Sequence, residues 1–123
     1  MALTLATTMR NAIADAVDAL IGTSATLEFQ TSGNSEVATL SLGSPAFGDA
    51  DTGVITMTGQ PLSDTDATGG TMAKFVIKSS GTTAQITGTV GTSANDINFP
   101  GGLTVGAGDT VTLTTFTITC PAS

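Results

Sequence analysis

The sequence has no histidine, tryptophan or tyrosine, a single cysteine, and only three Lys and Arg residues among 123. Each shortage excludes a class of function. One cysteine cannot build an intrachain disulfide framework. Without histidine, the usual nitrogen and sulfur ligands of zinc cannot be assembled. Three cations cannot form the basic face that displaces counterions from nucleic acid, so no nucleic-acid partner is expected. No run approaches the roughly 20 apolar residues of a membrane-spanning helix, and no membrane partner is expected either. A Ser-His-Asp triad lacks its base. Lys74 and Lys78 share a strand face, but no serine stands locally to exploit them. Gly101, Gly102, Gly106 and Gly108 connect strands instead of opening a helix, so no phosphate loop and no cofactor are expected. The chain reads as a non-enzyme.

What is present is threonine, 25 residues, with 15 glycines beside it. Ten acids against three cations set the net charge at −7, yet only 11% of residues are charged and 40% are hydrophobic. Low charge with that apolar content favours a buried core over disorder, and the length suits one domain over residues 1–123. The opening residues have no basic region and no apolar run of signal-peptide length. With a lone Cys120, which suits a reducing compartment, they point to cytoplasmic synthesis.

The hydrophobic period changes once. Over residues 5–21 it is helical: Met9, Ile13, Val17 and Leu20 recur at spacings of four, four and three, with Ala16 and Ile21 widening the stripe. Arg10, Asn11, Asp15 and Asp18 fall on the opposite face. Thr4 or Thr7 is expected to cap the start, and Gly22 stands where a left-handed residue ends a helix. The apolar stripe requires a cover, either a sheet or a neighbouring subunit. If that cover lies outside the helix's own domain, deletion of residues 1–22 is expected to weaken assembly more than folding.

From residue 25 the period is two. Strands are expected at 25–30, 36–42, 54–58, 71–78, 82–90, 96–99, 103–105 and 110–120. Gly33 and Asn34 signal a type II′ hairpin between the first two. Ala73, Phe75 and Ile77 alternate with Lys74, Val76 and Lys78; Ala84, Ile86 and Val90 are expected to face inward. In the last strand Val111 and Leu113 are odd-numbered while Phe116, Ile118 and Cys120 are even, which implies a bulge at 114–115 or a crossing between sheets, the bulge being preferred. The fold class is therefore mainly β: an antiparallel sandwich or jelly-roll-like domain of seven to eight strands over 25–120, preceded by one amphipathic helix within 1–22.

The outer faces are uncharged and threonine-rich. Thr83, Gln85, Thr87 and Thr89 line one strand, and residues 79–123 contain no cation. Free sheet edges normally carry charge to prevent stray pairing, so this row, with Met9, Ile13 and Val17 of the helix, is a candidate interface. The acids lie mostly in loops or on the outer helix face, where solvated carboxylates are expected. Asp49 with Asp51, and Asp64 with Asp66, have the spacing that begins many calcium loops. Neither pair is followed by a ligating Glu, so no metal is assigned. Cys120 reads as a small core hydrophobe.

Four segments add a resemblance: residues 1–20 (MALTLATTMRNAIADAVDAL), 38–48 (ATLSLGSPAFG), 90–98 (VGTSANDIN) and 111–119 (VTLTTFTIT). In order, they resemble a widespread group of small structural proteins of tailed bacteriophages, of the head decoration or cement type. Members of that group carry a longer first hairpin, with an aromatic residue and Gly where this chain has Phe29, Gln30 and Thr31. The resemblance implies a virion protein on the capsid exterior that binds and stabilises the major capsid protein lattice as a homo-oligomer, a trimer at three-fold sites. A tail, baseplate or fibre component is the alternative within the virion, and a host-surface adhesion module the alternative outside that role.

Overall fold

Gly22 marks the passage from helix to strand in the structure, a computed structural model that describes residues 4–79 and 83–120. Helix α1 spans Thr7–Ile21, two residues later in its start than the periodicity suggests. Ala6 takes the N-cap position without a side-chain cap bond, so neither Thr4 nor Thr7 caps it. Gly22 closes the helix at φ +81°, its N–H donating to the Asp18 carbonyl at 3.0 Å.

Eleven short strands follow: β1 (Thr26–Gln30), β2 (Glu36–Ser41), β3 (Val54–Thr56), β4 (Leu62–Asp64), β5 (Gly70–Thr71), β6 (Lys74–Ser79), β7 (Thr83–Gly91), β8 (Ile97–Asn98), β9 (Thr104–Val105), β10 (Val111–Leu113) and β11 (Thr117–Thr119). They form a five-stranded sheet in the order β2-β1-β6-β7-β8 and three two-stranded ribbons, β10-β4, β11-β3 and β5-β9. All pairs are antiparallel except β7 with β8, where Val90 and Gly91 run parallel to Ile97 and Asn98. The protein is thus mainly β with one N-terminal helix, as its periodicity implies.

The strands exceed the expected seven or eight because the longer ones break. The 71–78 segment divides into β5, which pairs with β9, and β6, which enters the main sheet. The 110–120 segment divides at residues 114–116, and β10 pairs with β4 while β11 pairs with β3. The parity change there is a change of ribbon, not the preferred bulge. Phe116, in the break, packs edge to face on Phe75 with ring centroids 5.5 Å apart. β4 has no counterpart among the expected strands because Leu62 is its only large apolar residue, too little for a period.

The first hairpin also differs from expectation. Asn34, not Gly33, takes the positive φ (+72°), the Thr31 carbonyl accepts the Asn34 N–H at 3.0 Å, and Thr31 N–H donates to Ser35 at 2.9 Å. This is a three-residue loop whose last residue is left-handed, as in a type I turn closed by a bulge. Ser80 and Gly81 of the turn expected after β6 lie outside the described residues, as does Thr82.

A bulge does occur between β6 and β7. Ile77 faces Ile86 while Lys78 faces Ala84, so Gln85 is the extra residue. Every side chain before it changes face, which is why Ala84 is exposed instead of inward. Val76, expected outward, is buried in a row between Glu28 and Thr87. The Lys78–Glu28 pair, at 3.2 Å, lies on the same face, where the aliphatic stems of such side chains cover apolar surface. One buried cluster joins the layers: Leu27, Phe29, Phe75 and Ile77 from the sheet meet Ile55, Val111 and Leu113 from the ribbons and Met57 just after β3.

Candidate interaction surfaces

The helix docks by its polar face. Asn11, Asp15 and Asp18 form a stripe at spacings of four and three, and successive members of such a stripe lie above one another. Each accepts a backbone N–H from the loop before β3: Gly53 to Asn11 Oδ1 at 2.7 Å, Ala50 to Asp15 Oδ1 at 2.8 Å, and Phe47 to Asp18 Oδ1 at 3.0 Å. Arg10 donates to the carbonyls of Thr52 (2.8 Å) and Cys120 (3.2 Å). The cause is local. Residues 47–53 contribute only isolated bridges to the sheets, so several of their amides need acceptors from elsewhere. Gly53 permits the close approach: its φ is +81°, and a Cβ there would stand 2.9 Å from the Cys120 carbonyl oxygen and 3.0 Å from Arg10 Nε.

That docking turns the apolar stripe outward. Met9, Ile13 and Leu20 are 54%, 42% and 63% exposed, while Val17 is half-buried and only Ala14 and Ile21 are buried. Of the two covers expected for the apolar stripe, the protomer's own sheet is therefore not the one used, while Asp15 on the polar stripe stays exposed. The exposed row Met9, Ile13, Ala16 and Leu20 has spacings of four, three and four, flanked by Ala12 and Ala19, and none of these residues is charged.

The two edges of the main sheet are finished differently. Along β2, Asp64 Oδ2 takes the Thr39 N–H at 2.9 Å and Gly69 donates to the Val37 carbonyl at 3.1 Å. Glu36 receives the Thr39 hydroxyl at 2.8 Å and the Thr68 hydroxyl. At the other end, β8 covers only Val90 and Gly91 of β7, and Asp96 Oδ2 takes the Thr89 N–H at 2.9 Å. From Thr83 to Gly88 no strand lies beyond β7 among the described residues.

The expected interface row falls on this edge, though not as one row. Thr87 and Thr89 share the face of Val76 and Lys74, whereas Thr83 pairs with Ser79 on the other face. Gln85 occupies the bulge and its Nε2 donates to Ser79 Oγ at 3.1 Å. Met9 and Ile13 are on the outward helix face, and Val17 turns partly inward.

Most of the aspartates are exposed, as expected, but several are also engaged with backbone. Asp15, Asp18, Asp64, Asp96 and Asp109 each accept at least one backbone N–H, Asp109 from Gly106 at 2.8 Å. Of the calcium candidates, Asp64 is committed through both oxygens, to Thr39 and to Asp66. Asp49, Asp51 and Asp66 are exposed. The two pairs lie in separate segments, and no group of three or more His, Cys, Asp or Glu side chains suited to a metal occurs among the described residues. Cys120 is half-buried; its N–H donates to the Gly53 carbonyl at 2.8 Å.

Among the described residues, open hollows of about 220–300 Å³ lie beside the ribbons, one lined by β9 and β10 and two where residues 113–118 approach the β7–β8 end of the sheet. Each has one carboxylate in its wall, Asp109 or Asp96, already bonded to backbone. Of the residues that organise this molecule, Arg10, Asn11, Asp15, Asp18 and Asp96 do not stand out as sites in the sequence, and Asp64 stands out only as a calcium candidate. The four-three spacing of residues 11, 15 and 18 is the available signal, as regular as the apolar stripe itself. A scan against protein-family models finds no model that matches this chain, and searches of curated proteins and of solved structures find no match either.

Proposed function

We propose that this chain is a non-enzymatic structural protein of a tailed-bacteriophage virion, a head decoration protein. On this reading it binds the major capsid protein lattice from the capsid exterior as a trimer. The observation that carries the reading is the contrast between the sheet edges. β2 is sealed by Asp64 and Gly69, while Thr83 to Gly88 of β7 carry no charge and have no strand beyond them among the described residues. An unpaired, uncharged edge invites addition of a strand and is normally blocked in a protein that lives alone. In an assembly protein the same edge is a contact. Many such weak contacts repeated around a shell give avidity without strong single sites. The sequence resemblance to cement proteins points the same way.

The test is cosedimentation with purified phage heads stripped of the protein and, separately, with detached tails. The wild-type chain is expected to pellet with heads and not with tails. Thr87→Lys, which places a charge on the open edge, is expected to reduce that binding at least tenfold with an unchanged circular dichroism spectrum. Binding to tails alone would favour the tail or baseplate alternative, and binding to neither would overturn the proposal.

A further inference from the structure

We infer that α1 packs against α1 of two further copies of this chain, with Met9, Ile13, Ala16 and Leu20 lining a three-fold axis. The inference deepens the trimer reading above and rests on it, but a different surface carries it.

Three observations select a second copy as the occupant. The first is spacing. An exposed apolar row at four, three and four residues is the seam that a helix presents to another helix in knobs-into-holes packing. A sheet would accept a wider and less regular stripe. Ala12, Ala16 and Ala19 keep the seam low, so that helix axes can approach closely.

The second is charge. A chain of net charge −7 repels its own copies. The acids of α1, Asp15 and Asp18, lie off this seam and accept the amides of Ala50 and Phe47. Thr8, Met9, Ala12, Ile13, Ala16, Ala19 and Leu20 leave the outer face without charge. Identical copies can meet there without juxtaposing like charges, as a symmetric contact requires.

The third is area. Fifteen residues make a helix about 22 Å long. One helix pair of that length is small beside the roughly 800 Å² per partner of a standard interface. In a three-fold bundle each helix touches two neighbours, which doubles the contact of every copy. The hydrogen bonds to residues 47–53 also fix the rotation of α1 before association, so its seam is held outward.

The experiment is gel filtration with light scattering on the full chain over a hundredfold range of concentration. The wild-type protein is expected near three times 12.1 kDa. The double variant Ile13→Asp, Leu20→Asp is expected near 12.1 kDa with an unchanged far-ultraviolet spectrum. Should the double variant fail to fold, Ala16→Cys in a Cys120→Ser background provides a second reading. Mild oxidation is expected to give a cross-linked pair on a denaturing gel, because the three introduced thiols meet at the axis. A wild-type trimer in which the aspartates leave the mass unchanged, or in which the Ala16→Cys variant does not cross-link, overturns the helix axis and leaves the trimer reading intact. A wild-type monomer or dimer at every concentration overturns both, while head binding in the sedimentation assay would still support decoration.

Discussion

Two sides of this molecule are finished in opposite ways. On the sealed side, around the inner face of α1 and the outer edge of β2, side-chain carboxylates and an amide close off backbone N–H groups, with Asp18, Asp15 and Asn11 on the helix and Asp64 on the strand. On the open side, the outer face of α1 and the edge of β7 from Thr83 to Gly88 carry apolar residues and threonine with no charge and no cover among the described residues. The difference shows where a chain with ten acids and three cations places its charge. Much of it is committed to intramolecular backbone amides, where an unmet donor is costly, and little is left to guard the surfaces that remain.

Substitutions on each side, and in the core they share, test this contrast. The largest loss belongs to the core beneath both sides. Phe29→Ala removes a fully buried ring that packs edge to face on Phe99 at 5.4 Å, and is expected to lower unfolding free energy in urea by about 3–5 kcal/mol. Phe116→Ala, at a half-buried position, belongs at the low end of about 2–5 kcal/mol.

On the sealed side, Asp18→Ala leaves the buried Phe47 with an amide that has lost its acceptor. The expected cost is about 1–3 kcal/mol by chemical denaturation, and Asp18→Asn, which keeps an acceptor oxygen, should cost less than half as much. Gly53→Ala meets both a φ of +81° and the Cys120 carbonyl at 2.9 Å. A loss of at least about 1 kcal/mol is expected, measured as a lower midpoint in thermal unfolding.

The smallest effect belongs to the open side. Leu20→Ala is expected to change stability by no more than about 0.5 kcal/mol at a dilution where the protein is monomeric. If it cost as much there as Asp18→Ala, the outer face of α1 would be part of the protomer's own core and the contrast between sides would collapse. Deletion of residues 1–22 is the coarser version. Periodicity predicts more harm to assembly than to folding only if the helix docks outside its own domain. Within the protomer α1 supplies Ala14 and Ile21 to the core and satisfies three loop amides, so the deletion is expected to lower the yield of folded protein as well, measured by circular dichroism.

Much of the fold is legible in the chain itself. The switch from a helical to an alternating period at residue 25, and the pairing of residues 26–30 with 36–41, follow from apolar spacing that only one local geometry can use. The breaks are less so. Nothing between Val111 and Thr119 announces two different partners, because β propensity is the same on either side of Phe116. The bulge at Gln85 is likewise silent, and it moves Thr83 and Ala84 to faces opposite those their numbering implies. For the candidate surface, residues are easier to read than directions. Met9, Ile13 and the β7 threonines are at the open side, yet the helix reaches that state by docking through the residues that periodicity assigns to water.

The local chain therefore specified the class of structure, one helix and many short strands, through period, glycine placement and the near absence of charge. It also carried two helix stripes of equal regularity, one polar and one apolar. Which stripe faced inward was decided only in the folded molecule, by the loop at residues 47–53. Its amides at Phe47, Ala50 and Gly53 lacked strand partners and could be satisfied by Asp18, Asp15 and Asn11 but not by methyl groups. Hydrophobic burial is non-directional and can be met later by another molecule, whereas a buried amide needs its acceptor within about 3 Å in the same chain.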